Sequence, residues 1–161
     1  YSTNGPTSWN LYNDASWLLP STECSWGESF DVECSNDNVV DRISFYDDGL
    51  SGTIPGEIGL LSSLTSLLLW GNNLEGTIPT EIGVLTSLTG FSFSRNANLS
   101  GRVPTELANL SNLEELYLYN TQLTGSIQSD LCSTLTDAAI DCGEIECDCC
   151  TSSGSLGVTP C

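Results

Sequence analysis

The stretch Leu50-Ser-Gly52-Thr-Ile54-Pro55-Gly-Glu57-Ile58 recurs as Leu74-Glu-Gly76-Thr-Ile78-Pro79-Thr-Glu81-Ile82 and again as Leu99-Ser-Gly101-Arg-Val103-Pro104-Thr-Glu106-Leu107. A fourth copy, Leu123-Thr-Gly125-Ser-Ile127-Gln128, has glutamine where the others have proline. The leading leucines stand 24, 25 and 24 residues apart. A fixed period of this length means that one supersecondary unit is stacked on copies of itself, each burying its neighbour's apolar face. Such a stack offers a continuous surface rather than a walled pocket, which favours binding over catalysis.

Upstream of each copy lies an alternating segment: Ile43-Ser-Phe45, Leu67-Leu-Leu69, Phe91-Ser-Phe93 and Leu116-Tyr-Leu118. Period-two alternation predicts strands with one buried face, here four in parallel. Ile54, Ile58 and Leu61, with Ile78, Ile82 and Leu85, and Val103, Leu107 and Leu110, continue the core on the return side. Gly52, Gly76, Gly101 and Gly125 are read as turn positions with unusual dihedrals, and the prolines as points where the return segment leaves the ladder. Asn72 and Asn96 follow their strands by three residues, placed to satisfy the backbone of neighbouring turns; Asp48 and Thr121 take that place in the outer repeats. One extra residue in Arg95-Asn96-Ala97-Asn98 predicts a bulge.

The eight cysteines lie outside the repeats. Cys24 and Cys34 precede them; Cys132, Cys142, Cys147, Cys149, Cys150 and Cys161 follow. Sulfur at both ends of a stack whose core must be closed reads as disulfides in an oxidising compartment, with Cys24–Cys34 the natural pair and the other six open. A zinc site is the competing reading; the chain has no histidine, and Cys147-x-Cys149-Cys150 is too tight for paired zinc ligands. The division expected is an N-terminal cap over 1–38, repeats over 39–131, a Cys-rich cap over 132–150 and a linker or tail over 151–161. Trp9, Trp17 and Trp26 would cover the first repeat.

Twenty-one acids face three arginines and no lysine, a net charge of −18. This excludes nucleic acid and anionic membranes as partners. No loop has the spacing of a calcium motif, and no metal or cofactor is expected. No run of 18 apolar residues spans a membrane. A chain that needs an oxidising compartment but starts at Tyr1 is expected to be processed or partial.

Leu64-Thr-Ser-Leu67-Leu-Leu69-Trp-Gly-Asn72-Asn-Leu74-Glu-Gly76-Thr-Ile78-Pro79 resembles the plant-type leucine-rich repeat of polygalacturonase-inhibiting proteins and receptor-kinase ectodomains. Trp17-Leu18 and Cys24-Ser-Trp26 to Cys34 resemble the cap before such repeats. The Cys-Asp-Cys-Cys-Thr cluster and Thr3-Asn-Gly5-Pro6-Thr-Ser-Trp9 are closer in style to secreted repeat proteins of diatoms and related algae, in which a helix precedes that turn. The resemblance implies an α/β solenoid: a short right-handed stack of about four 24-residue repeats with a parallel sheet on its concave face and disulfide-closed caps. It is specific for fold and weak for function, because such folds host many activities.

Side chains at every second strand residue point outward. That rule puts Tyr46, Trp70, Ser94 and Tyr119 in one row and Leu68 and Tyr117 in the next, with Arg42 and Arg95 on the same face. The candidate binding residues are therefore Arg42, Tyr46, Leu68, Trp70, Arg95, Tyr117 and Tyr119. Four strands about 4.8 Å apart span only about 14 Å, whereas a stable protein interface takes roughly 800 Å² per side. The partner is thus small, such as a sugar chain stacked on Trp70, or it also reaches the caps. Sequons at Asn98-Leu-Ser100 and Asn109-Leu-Ser111 predict glycosylation. Glu57, Glu81 and Glu106 line the return side as a solvated row. With neither histidine nor lysine, and no cleft implied, no catalytic residue is assigned. The expected function is a secreted, non-enzymatic interaction module of a cell surface or matrix, contacting a protein, a glycan or its own copy. The alternatives are a structural subunit of a filament or wall, and an inhibitor of a secreted carbohydrate-active enzyme.

Overall fold

The computed structural model describes residues 32–37 and 39–152. Twelve short strands run in chain order: β1 (Val32–Cys34), β2 (Val40–Ser44), β3 (Ser51–Thr53), β4 (Ser66–Leu68), β5 (Asn73–Gly76), β6 (Gly90–Ser92), β7 (Asn98–Arg102), β8 (Glu115–Tyr117), β9 (Gln122–Ser126), β10 (Asp137–Ile140), β11 (Ile145–Glu146) and β12 (Thr151–Ser152). They form two sheets. The main sheet has the order β1-β2-β4-β6-β8-β10-β12, and a second has the order β11-β9-β7-β5-β3. All pairings are parallel except β1 on β2. Between the sheets the chain returns through 3₁₀ helices at Gly56–Leu60, Thr80–Val84, Thr105–Asn109 and Ser129–Ser133.

The core is one continuous column. Leu67, Leu69, Phe91, Phe93, Leu116 and Leu118 from the main sheet meet Leu74, Leu99 and Leu123 from the second and Ile58, Ile82, Leu107 and Leu131 from the return helices, all buried. Ile43 is also buried, while Phe45, at the first repeat, is partly covered. Phe91 and Phe93 pack with ring centroids 4.6 Å apart.

The second sheet is where the structure departs from the expectation of a glycine turn. Gly52, Gly76, Gly101 and Gly125 lie inside its strands with φ of 96°, 78°, 85° and 108°. Two facts require glycine there. Positive φ is costly for a residue with a β-carbon. A β-carbon on Gly101 would also stand 2.7 Å from the Thr77 methyl, and one on Gly76 would stand 3.1 Å from that of Thr53. Thr53 and Thr77, which follow Gly52 and Gly76, thus fill the hollows left by the next repeats' glycines. The prolines begin the return helices in extended conformation, and Gln128 holds the same place at φ −65°, so the fourth repeat keeps the geometry without the ring.

Asn72 and Asn96 join the repeats through the core. Asn72 Oδ1 accepts from the Leu50 amide at 3.0 Å, and its Nδ2 donates to the Phe45 and Leu69 carbonyls at 2.9 and 3.1 Å. Asn96 repeats this with the Leu74 amide at 3.0 Å and the Leu69 and Phe93 carbonyls at 2.9 and 2.8 Å. At the fourth repeat Thr121 is too short to reach back. The Leu99 amide bonds instead to the Asn96 carbonyl at 2.9 Å, a contact within the repeat that carries the extra residue. The Leu123 amide donates to Thr121 Oγ1 within its own repeat at 3.3 Å, and Asp141 links the next turn by accepting from the Thr121 amide at 3.0 Å.

Both sheets run past Leu131, where the repeat sequence stops. β10 adds to β8, and β12 adds to β10. Thr151 and Ser152, expected to open a linker, are thereby paired with Ala139 and Ile140. Hydrogen bonding to a waiting strand edge overrides their flexible composition. Disulfides Cys132–Cys149 and Cys147–Cys150 tie this end together. Cys34 and Cys142 are also disulfide-bonded. Cys24, Trp9, Trp17, Trp26 and Cys161 lie outside the described residues.

Replacing Asn96 by leucine keeps the volume but orphans the Leu74 amide and the Phe93 carbonyl, while the Leu69 carbonyl keeps Asn72. Each buried unsatisfied group costs about 1–3 kcal/mol, so unfolding in denaturant should show a loss of about 3 kcal/mol or more. Asn98→Ala, at an exposed position, should stay within about 0.5 kcal/mol.

Candidate functional site

The register of the main sheet places the outward side chains. Arg42, Ser66, Gly90, Glu115 and Asp137 form one row, and Ser44, Leu68, Ser92, Tyr117 and Ala139 the next. Beyond the strand ends the ladder continues: the Asp47 amide donates to the Trp70 carbonyl, Gly71 to Ser94, and Arg95 to Tyr119. Tyr46, Trp70, Ser94 and Tyr119 thus share a third row.

The third repeat carries only small residues on this face, Gly90, Ser92 and Ser94, flanked by Leu68 and Trp70 on one side and Tyr117 and Tyr119 on the other. The large side chains close over this trough. Trp70 Nε1 donates to the Tyr119 hydroxyl at 3.2 Å, reaching across the strand between them. Ser94 beneath is completely buried, and its hydroxyl finds no partner among the described residues. Arg95 sits at the residue after the row with φ 58°, in the left-handed region that Asp47, Gly71 and Asn120 also occupy in their repeats. This turns its guanidinium back over Trp70, 4.6 Å from the ring centroid. Trp70, Tyr119, Tyr117 and Leu68 are half-buried, whereas Tyr46, at 49%, and both arginines are exposed.

Arg42 lies apart from this cluster and pairs with Glu33 of β1 at 3.5 Å. Five of the expected residues, Leu68, Trp70, Arg95, Tyr117 and Tyr119, therefore surround the trough, while Tyr46 and Arg42 sit at its first-repeat edge. The Tyr117 hydroxyl donates to Asp137 at 2.7 Å. Burial, that hydrogen bond, and the charges of Asp137 and Glu115 push its pKa well above the ordinary tyrosine value.

The glutamates of the return side point elsewhere. Glu57 and Glu81 are exposed and Glu106 half-exposed, and the Glu81 carboxyl lies over Gly56. A polar groove lined by Ser87, Thr89, Ser111, Asn112, Glu114 and Thr134 holds one carboxylate. Cys132, Cys147 and Cys149 bring their sulfurs within 4.8 Å of one another, but all three are in disulfides. Asn98 and Asn109 are both exposed. Among the described residues no helix is long and apolar enough to cross a membrane.

The Leucine Rich Repeat family model matches residues 63–85 and 112–134. The receptor kinase SOBIR1 ectodomain from Arabidopsis thaliana superposes with a TM-score of 0.63 at 27% identity, covering 70% of this chain and 66% of that one. The BIR2 ectodomain from the same plant gives 0.63 at 34% identity, covering 68% and 59%. This is a leucine-rich repeat protein of the plant type. The repeat protein also resembles the Arabidopsis receptor kinase HAESA, solved with the peptide hormone IDA and the co-receptor SERK1, with a TM-score of 0.57 at 32% identity over 66% of this chain and 18% of that one. It thus spans about two thirds of the SOBIR1 ectodomain and under a fifth of HAESA. No curated protein matches it.

The sequence did not disclose the bridge from Trp70 to Tyr119 or the stacking of Arg95. Its one signal was the run of small residues in the third repeat, which leaves room for both. Two measurements follow. A double-mutant cycle of Arg95→Ala and Trp70→Phe should give a coupling of about 0.5–1 kcal/mol, the range for an exposed cation over an aromatic face. In an alkaline absorbance titration, Tyr117 should ionise later than a free tyrosine, and Tyr117→Phe should remove that late component. Because the folded pKa is the higher one, the phenol's contribution to stability is complete below pH of about 10. It is lost as pH rises through the folded value.

Proposed function

We propose that this chain is an extracellular, non-enzymatic recognition module that holds a protein partner on its main sheet, through Trp70, Tyr119, Tyr117, Leu68 and Arg95. The observation that carries the reading is the cluster itself: two aromatics linked by a hydrogen bond, with an arginine stacked on one. Tryptophan, tyrosine and arginine are the residues in which binding energy concentrates at interfaces. In a chain with −18 charge, Arg95 makes no ion pair to a described carboxylate. Its charge is free for a partner.

The six described cysteines are all in disulfides, which fits an oxidising compartment. Several receptors of similar fold were solved with peptides or co-receptors, which supports a protein partner here. An extended segment suits a face of this size, since it needs little width.

Selection of displayed random linear peptides on the immobilised chain tests the reading. Selected binders should lose at least tenfold in affinity, about 1.4 kcal/mol, on Trp70→Ala, and none on Glu57→Ala. Binders indifferent to Trp70→Ala and Tyr119→Ala, or no binders at all, would contradict it.

A further inference from the structure

Among the described residues three large hydrophobics are exposed: Tyr46 on the main sheet, and Leu60 and Val84, at 69% and 60%, on the return side. Leu60 and Val84 are not scattered. Each is the last residue of its 3₁₀ helix, so they are neighbours in consecutive repeats. The same position in the third repeat is Asn109, the acceptor of the sequon Asn109-Leu-Ser111. Two bare apolar side chains thus end in a row at a site for sugar.

The Val84 side chain leans toward the preceding repeat. A Val84 methyl lies 3.3 Å from where a β-carbon would stand on Gly59, the residue before Leu60. Asn109 occupies the equivalent place one repeat on, next to Val84 in the row; a lean like that of Val84 would bring its amide over Val84. Among the described residues its side-chain amide has no hydrogen-bond partner, and both Asn109 and Ser111 are exposed. Asn98 differs. It opens β7 opposite Glu75, with no exposed large apolar side chain in its row.

We propose that Asn109 carries an N-linked glycan whose first sugars lie over Val84 and Leu60. In the attachment, the Asn109 side-chain nitrogen bonds to the anomeric carbon of a lipid-diphosphate-linked oligosaccharide. The carbon–oxygen bond to the diphosphate breaks, its electron pair leaves with the diphosphate, and one amide proton is released. A pyranose ring presents a face of C–H groups, which can cover two apolar side chains while its hydroxyls stay in water. Successive repeats stand about 4.8 Å apart, a step that linked rings can follow from Asn109 to Leu60. The covering removes a patch that would otherwise invite association. It rests on the return side and does not depend on the reading of the main sheet.

The test uses the full chain secreted from a eukaryotic cell line. Peptide mass after enzymatic release should show Asn109 converted to aspartate. Nuclear Overhauser contacts should join the N-acetyl protons of the first sugars to the Val84 methyls. Asn109→Gln should lose those contacts and gain binding of a hydrophobic dye, and adding Val84→Ser should abolish that gain. Asn98→Gln should change neither readout. An unmodified Asn109 would overturn the proposal. So would a glycan at Asn109 with no contact to Val84 or Leu60, or wild-type protein that binds the dye as strongly as Asn109→Gln; in that case the row is open to a partner or a second copy.

Discussion

Two asparagine side chains hold the repeats in register, and the rest of the structure depends on them. A chain that turns from one sheet to another every dozen residues leaves amides and carbonyls inside the corner, out of reach of water. Left unpaired, such groups would each work against folding. Asn72 and Asn96 settle them with one acceptor and one doubly used donor, each reaching into the neighbouring turn. The carboxamide suits this task because it offers both functions without a charge. Stacking then becomes self-consistent: Gly76 and Gly101 receive the threonines of the repeats before them, and the leucines fall into a single column.

That register also makes the outer face. Rows of side chains about 4.8 Å apart allow Trp70 to cross above Ser94 and meet Tyr119. The left-handed turn after each strand lets Arg95 fold back on the indole. Behind the Trp70 and Ser94 positions of the cluster, Asn72 and Asn96 hold the backbone. A preorganised face needs less ordering on binding, which is where small interfaces gain affinity.

Much of this was legible in the sequence, for a physical reason: period, alternation and buried asparagine are local patterns repeated at a constant interval. The second sheet was not. Leu-x-Gly-x reads as a turn, and its strands form only because stacking brings several such segments side by side. The C-terminal ladder was hidden likewise, since Thr151 and Ser152 have the composition of a linker and become a strand by pairing. On the candidate face, alternation put the aromatics in their rows. It gave no sign that Trp70 would be half-buried, because that depends on what stands two strands away. The position of Arg95 follows from a positive φ at a non-glycine residue, which no residue pattern announces.

Side chains, not only strand ladders, hold the repeats together. Native-state hydrogen exchange of the Leu50 amide tests this most directly. Leu50 lies outside any strand, and its amide donates only to Asn72 Oδ1. It should exchange as slowly as the Leu67 amide in the main sheet, through global unfolding. Exchange at the rate of an open loop would show that the asparagine contact does not carry the stack.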